Sequence, residues 1–190
     1  KRMNPDVETL DMTMESCKAR IEFRESNRSK AFIQSESDDV KVEQQEYILM
    51  GNLYHQLFSA IATANDVEEA LLQMRKTGLI ESESKSMRKL AVARLNDRKV
   101  SEWFDGSWTL YRECTILERG KEGEVVQHRP DRVMMRGDET VVVDFKFGKP
   151  NNEYLEQVRC YMKLLQQMGR KNVDGFLWYV YDSKIERVTL

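Results

Sequence analysis

The stretch that decides the fold is Glu139–Lys149, which reads E-T-V-V-V-D-F-K-F-G-K. Its valines and phenylalanines are β-branched or aromatic, as in a buried central strand. Two charged residues, Asp144 and Lys146, interrupt the apolar run two positions apart, so both side chains face the same side of a sheet. The pattern predicts a core strand with a polar site on one of its faces.

A tight turn connects this strand to the one before it. The segment Arg136–Glu139, R-G-D-E, has glycine at the first central position of a two-residue type II′ hairpin. The register set by this turn places Asp131 directly opposite Asp144, on the side to which Lys146 points. Two opposed carboxylates are destabilising unless a cation compensates them.

Two interpretations account for these charges. In the structural one, Lys146 neutralises one carboxylate, and Arg129 or Arg132 neutralises the other. In the functional one, the carboxylates bind a hard divalent cation such as Mg²⁺ or Mn²⁺. Lys146 then polarises a phosphate or orients a water, which suits metal-assisted hydrolysis of a phosphodiester.

Size and charge exclude some classes of protein. The 190 residues suit one domain with its own core, and a net charge of −2 is not the basic surface of a free-standing nucleic-acid binder. The three cysteines, Cys17, Cys114 and Cys160, fit neither a disulfide framework nor a C-x-x-C metal pattern. We therefore expect reduced thiols in the cytoplasm, and no apolar run is long enough for a membrane helix.

Periodicity predicts helices followed by strands. Helices are predicted over 43–64, 67–77, 83–97, 99–105 and 152–168, with Asp66 and Glu69 as a capping box and Gly169 as a C-cap. Strands are predicted over 108–117, 125–135, 140–147, 173–181 and 185–189, with a further strand near 17–24 and a short helix at 29–34. This order predicts an α/β fold with a mixed central sheet packed between helices.

Four motifs then resemble one family. Pro130-Asp131 followed, after a spacer of twelve residues, by Asp144-Phe145-Lys146 resembles the P-D…(D/E)-x-K signature of restriction-endonuclease-like nucleases. The other three, each similar to a motif of the RecB-type nucleases within that group, are Gly51–His55, Val143–Gly148 (V-D-F-K-F-G) and the Q-x-x-x-Y of Gln157 and Tyr161. The resemblance runs in order from about residue 47 to 180 and implies a restriction-endonuclease-like core with an N-terminal helical segment.

The whole chain looks like the C-terminal nuclease domain of a UvrD/Rep-type helicase–nuclease of the AddA or RecB kind. The resemblance implies one domain over 1–190, with a lead-in segment 1–42, a helical part 43–106 and a catalytic part 107–190. The implied partners are DNA, fused or associated helicase domains and an AddB-like second subunit. No phosphate-binding G-x-x-x-x-G-K-[ST] loop occurs in these residues, so ATP dependence would come only from the helicase.

The resemblance also implies residue roles. Asp131, Asp144, His55 and the backbone carbonyl of Phe145 become ligands of Mg²⁺ or Mn²⁺. Lys146 activates water or stabilises charge on the phosphate. The residues implied to orient the site or to contact DNA are Gln157, Tyr161, Arg132 and Lys149. Relatives with an iron–sulfur cluster carry four cysteines around the core, so no cluster is expected here.

Other interpretations of single residues stay open. A lone histidine on an amphipathic helix, such as His55, is often structural, and Tyr161 fits an ordinary core aromatic. His128 lies an odd number of residues from Asp131 and is expected on the opposite face of the sheet. The basic residues Arg129, Arg132, Lys149, Arg159 and Lys163 form either a phosphate-contacting rim or solvated surface charge.

Three functions compete. The first is a Mg²⁺-dependent exo- or endodeoxyribonuclease domain in double-strand-break repair. The second is a catalytically weak nuclease-fold module that binds DNA or serves as a scaffold for the fused helicase. The third is a metal-dependent phosphohydrolase of small substrates.

Overall fold

The computed structural model describes residues 38–120 and 123–190. The chain divides into two compact units, 1–42 and 43–190, and the sheets and the candidate site belong to the second. The predicted strand near 17–24 and helix at 29–34, and most of the lead-in segment, lie outside the described residues. No helix in the described part of the chain is both long and apolar enough to cross a membrane.

In the described residues, four helices precede the strands and a fifth lies between strands. Their bounds are Asp38–Ala60 (α1), Val67–Lys76 (α2), Glu81–Leu95 (α3), Arg98–Trp103 (α4) and Asn152–Gln167 (α5), with a 3₁₀ turn at Ala64–Asp66. The predicted capping box of Asp66 and Glu69 is wrong. The Asp66 side chain accepts hydrogen bonds from the backbone amides of Ala62 and Thr63, so it caps the 3₁₀ turn and not helix α2. The side chain of Glu69 instead accepts from Gln73.

The strands form a five-stranded sheet and a separate two-stranded one. The strands are Thr109–Arg112 (β1), Ile116–Arg119 (β2), Val125–His128 (β3), Arg132–Arg136 (β4), Glu139–Lys146 (β5), Asn172–Tyr179 (β6) and Lys184–Val188 (β7). The large sheet has the order β1-β4-β5-β6-β7, and β2 pairs with β3 in the separate sheet. The β5–β6 pair is parallel and its neighbours are antiparallel, which confirms the mixed α/β sheet.

Two predicted strands are each broken in the structure. The strand predicted over 108–117 is split into β1 and β2, because Glu113 has a φ of 44°, which a continuous strand cannot accommodate. The strand predicted over 125–135 is split into β3 and β4 around Pro130, whose nitrogen has no hydrogen to donate to a ladder. Each half therefore pairs in a different sheet.

Strand β5 lies between two apolar layers, one on each face of the sheet. Val143 and Phe145 pack with the helices α1 to α4 on one face, whereas Val142 packs with α5 on the other. By alternation, Asp144 and Lys146 lie on the α5 face, at the end of the strand. The valines and phenylalanines of β5 thus fill the core while its two charges mark one place on the sheet.

Helix α5 lies directly on the backbone of β6 at Gly175. A Cβ added there would lie 2.4 Å from Met162 Sδ and 2.8 Å from Val158 Cγ1, and the β-branched valine cannot easily move. We expect Gly175→Ala to lower the free energy of unfolding by about 1–3 kcal/mol, measured by urea denaturation. Gly148→Ala, where an added Cβ meets nothing within 4 Å, is the control. Equal stability of the two variants would contradict this packing.

Candidate active site

The β4–β5 hairpin sets the positions of the two aspartates. Its ladder runs from Arg136 opposite Glu139 to Arg132 opposite Val143, which is the register that the turn predicted. Gly137 has a φ of 58° and Asp138 is not in the left-handed region, as a type II′ turn requires. The last pair of the ladder contains Arg132. Asp131 therefore lies immediately before strand β4 in the chain, outside the ladder, and its side chain has other partners.

Asp131 joins two parts of the site. Its Oδ2 accepts from the backbone amide of Phe145 at 2.6 Å, and its Oδ1 lies 2.9 Å from His55 Nε2. The residue is 9% exposed. Neither Arg129 nor Arg132 pairs with this carboxylate, since Arg129 pairs with Glu113 and Arg132 donates to backbone carbonyls. The structural interpretation in which Arg129 or Arg132 neutralises one of the two carboxylates is therefore wrong.

His55 enters the site from helix α1. One turn earlier, Gly51 lets the helix approach strand β5, because an added Cβ would lie 3.3 Å from Phe147 Cβ. The hydrogen bond to Asp131 raises the pKa of His55 above its ordinary value, against the opposing effect of burial. Beside it, an open cleft of about 250 Å³ is lined by Tyr47, Ile48, Gly51, Asn52, His55, Phe147 and Gly148.

Asp144 is the most buried charge of the site. It is 2% exposed, and its Oδ2 is in ion-pair contact with Lys146 but has no well-oriented hydrogen-bond donor among the described residues. Burial and the charge of Asp131 together raise the pKa of Asp144 to about 6, against the opposing effect of Lys146. Additional positive charge at the site would therefore favour the ionised form of Asp144.

Lys146 is held by three neighbours. Its Nζ contacts Asp144, donates to Gln157 Oε1 at 3.2 Å and lies 4.3 Å from the centre of the Tyr154 ring. The side chain keeps 17% of its surface exposed. The ammonium is thus fixed in direction and still accessible to a substrate.

Gln157 and Tyr161 hold Lys146 from helix α5. Gln157 Nε2 donates to the Tyr161 hydroxyl at 2.7 Å, and that hydroxyl donates to the carbonyl of Arg129 at 3.4 Å. Burial raises the pKa of Tyr161 well above its ordinary value, so it stays a neutral donor. The i, i+4 pair therefore links α5 to the loop that carries Asp131.

The other residues considered in the sequence lie in different environments. Arg132 is 2% exposed and donates to three backbone carbonyls, so the predicted contact of its guanidinium with DNA is wrong. Lys149 is exposed in the loop after β5. His128 lies in the two-stranded sheet and bonds to Glu118. The Phe145 side chain packs in the core, while its amide faces Asp131.

The sequence analysis missed Glu113. Its Oε1 lies 3.9 Å from His55 Nδ1, and its backbone amide donates to the Asp131 carbonyl at 2.9 Å. It adds a third carboxylate at the edge of the site. Nothing in the pattern around it marks this role, because the surrounding residues read as one continuous strand.

The donor set matches a hard divalent cation. It combines two carboxylates and an imidazole, which are nitrogen and oxygen ligands. Asp144 Oδ2 is buried without a well-oriented donor, which is the environment that a bound cation would complete. The residues that the hairpin, α1 and α5 bring together are His55, Asp131, Asp144, Phe145, Lys146, Gln157 and Tyr161.

Comparison with known protein families identifies the group to which the sequence is similar. A family model described as the PD-(D/E)XK nuclease superfamily matches residues 12–189, which is most of the chain. No curated protein matches the sequence.

Proposed function

The chain belongs to the PD-(D/E)XK nuclease superfamily, and from that membership we propose that it is a Mg²⁺-dependent deoxyribonuclease that hydrolyses phosphodiester bonds. Nucleases of this superfamily typically use divalent metals. Mn²⁺ is the alternative cation, because it prefers the same oxygen-rich donors.

One observation carries the proposal most directly. Asp131 and Asp144, with Lys146 in ion-pair contact with the second, converge with His55 from a helix 76 residues upstream of Asp131. Burial and the Asp131 charge raise the pKa of Asp144. A fold that keeps this arrangement without catalytic need would carry two poorly compensated carboxylates in its core, at a cost in stability.

The protein groups have distinct roles in this proposal. Asp131, Asp144, His55 and the Phe145 carbonyl hold the cation, which supplies Lewis-acid activation of the phosphate and of a water. Lys146 presents its ammonium toward the solvent side, where it stabilises the charge that develops on the phosphate or orients the attacking water.

The remaining residues position that lysine and the substrate. Gln157 accepts from Lys146 and fixes its direction, and Tyr161 fixes Gln157 in turn. Exposed Lys149 contacts the DNA backbone beyond the scissile phosphate. Such preorganisation avoids rearrangement during the reaction.

We also propose a cellular context from the RecB-type motifs. In this context residues 1–190 form a single nuclease domain at the C-terminal end of a UvrD/Rep-type helicase–nuclease that acts in double-strand-break repair in the cytoplasm. Residues 1–42 are its lead-in, 43–106 its helical part and 107–190 its catalytic part. ATP dependence would come through the helicase, with an AddB-like subunit as a further partner.

A direct assay tests the activity. We expect linear single- or double-stranded DNA to be degraded with Mg²⁺ and to stay intact with EDTA. Lys146→Met keeps the aliphatic stem but removes the ammonium, so we expect cleavage to slow by about 10²–10³-fold. Electrophoresis of labelled DNA over time measures the rate.

Lys184→Met is the matched control. Lys184 also lies beside an acidic residue and a tyrosine ring, 5.6 Å from the Tyr179 centre, but is far more exposed. Its variant should cleave at the wild-type rate. If wild type and Lys146→Met are equally inert while DNA is bound, the chain is a binding or scaffolding module. Turnover of small phosphoesters with no DNA cleavage would instead identify a phosphohydrolase.

A further inference from the structure

A second cluster of metal-ligating side chains lies outside the candidate active site. It consists of Glu118 on β2, His128 on β3 and Cys160 on α5. Ile116 lies directly opposite His128 in the β2–β3 ladder. Glu118, two residues along, therefore projects from the same face as His128. Ile116 packs with the core residues of α5, so this face of the hairpin is turned toward that helix.

The three side chains are already close to ligand spacing. One ligand atom from each lies within 4.8 Å of the others. His128 Nε2 is 2.8 Å from Glu118 Oε2, and His128 Nδ1 is 3.7 Å from Cys160 Sγ. A tetrahedral ion with bonds of about 2.0–2.3 Å holds its ligand atoms about 3.3–3.6 Å apart.

We propose that Glu118, His128 and Cys160 form a site for a borderline-soft transition-metal ion of the Zn²⁺ type, distinct from the Mg²⁺ site. A thiolate, an imidazole and a carboxylate are the donor types that Zn²⁺ takes, and thiolate is a poor ligand for Mg²⁺. Three protein ligands leave the fourth position to water. The Glu118 side chain is 41% exposed, and its carboxylate would turn from Nε2 toward the thiolate side of the ring.

The charges around the thiol favour a cation here. Burial raises the pKa of Cys160, and the Glu118 carboxylate raises it further, whereas Lys163 opposes the shift. A metal ion would reverse this balance, because a coordinating thiol is deprotonated outright.

The site would fasten the β2–β3 hairpin to helix α5. An isolated two-stranded sheet is at best marginally stable in water, and this hairpin pairs with no other strand in the part of the chain that the structure describes. Cys160 precedes Tyr161, whose ring meets His128 edge-on at 6.3 Å. A bound ion would therefore also steady the helix that positions Gln157.

Cobalt binding tests the proposal without any nuclease assay. Co²⁺ titrated into the full reduced chain should give a sulfur-to-cobalt charge-transfer band in the near ultraviolet, and Zn²⁺ should remove it by competition. The band excludes the proposed Mg²⁺ site as its source, because His55, Asp131 and Asp144 supply no sulfur. Its absence from the wild-type protein would overturn the proposal.

Single variants assign the ligands. Cys160→Ser should abolish the band, while Cys114→Ser and Cys17→Ser should keep it, and any other pattern would overturn the assignment of Cys160. Glu118→Gln should weaken Co²⁺ binding at least about tenfold, since a charged ligand is lost. Unchanged affinity in that variant would refute the three-ligand site. Circular dichroism confirms that each variant is folded.

Discussion

Asp144→Asn is expected to slow DNA cleavage by at least about 10³-fold, which corresponds to about 4 kcal/mol of transition-state stabilisation. Asparagine has nearly the same volume, so the packing at the end of β5 is retained. The substitution removes the proposed anionic ligand of the cation and the counter-ion of Lys146. Single-turnover cleavage at saturating Mg²⁺ separates this loss from weaker metal binding.

The same variant should not lose stability in the absence of metal. The pKa of Asp144 is raised to about 6 in the folded protein and is near the ordinary value of 3.8 when unfolded. The folded state therefore binds more protons between these values, and this group makes the protein less stable as pH rises through the window. A neutral asparagine removes that cost at pH 7.

A matched control is Asp174→Asn. Asp174 pairs with Arg187 on exposed surface and touches none of the candidate site residues. It should cleave DNA at the wild-type rate. A rate for Asp144→Asn within tenfold of wild type would remove Asp144 from the catalytic machinery, and a large loss of stability would make its role structural.

The second large effect concerns stability. Arg132→Met is expected to lower the free energy of unfolding by about 3–5 kcal/mol, measured by urea or thermal denaturation. Its guanidinium donates to the carbonyls of Ile61, Ala62 and Trp103 at 3.0, 2.7 and 2.7 Å, and lies 3.9 Å from the Phe104 ring centre. Methionine fills the space but leaves three carbonyls without that donor.

Arg136→Met on the same strand is the control. Arg136 also stacks on an aromatic ring, 4.1 Å from the Trp108 centre, but half of its side chain is exposed and its acidic partner is on the surface. We expect a loss below about 1 kcal/mol. Similar losses in both variants would mean that the buried carbonyl bonds of Arg132 contribute little.

The sequence predicted the hairpin half of the site because that half is local. Two charges in an apolar strand and one turn glycine were enough to predict the register of the β4–β5 ladder, since a two-residue turn fixes it, and Asp131 lies one residue beyond the end of that ladder. His55, Gln157 and Tyr161 come from helices whose packing the strand pattern does not encode. They were found only through resemblance to family motifs.

The errors have a common physical cause. Arg132 follows Pro130-Asp131 and looks like a phosphate contact, but the segment between α1 and α2 and the end of α4 cover it with backbone carbonyls. Glu113 is close to His55 only because its left-handed backbone ends β1. The burial of Arg132 and the position of Glu113 both depend on tertiary contacts, which local sequence propensities do not encode.

The distance along the chain between the two halves of the site has a kinetic consequence. Asp131 and Asp144 are joined by a hairpin, whose formation takes microseconds, whereas His55 lies 76 residues before Asp131. Closing that loop and docking α1 are late, high-contact-order events. We therefore expect the carboxylate pair to assemble early during folding and the imidazole to arrive last, so that a nascent chain acquires its complete ligand set only when the tertiary structure is finished.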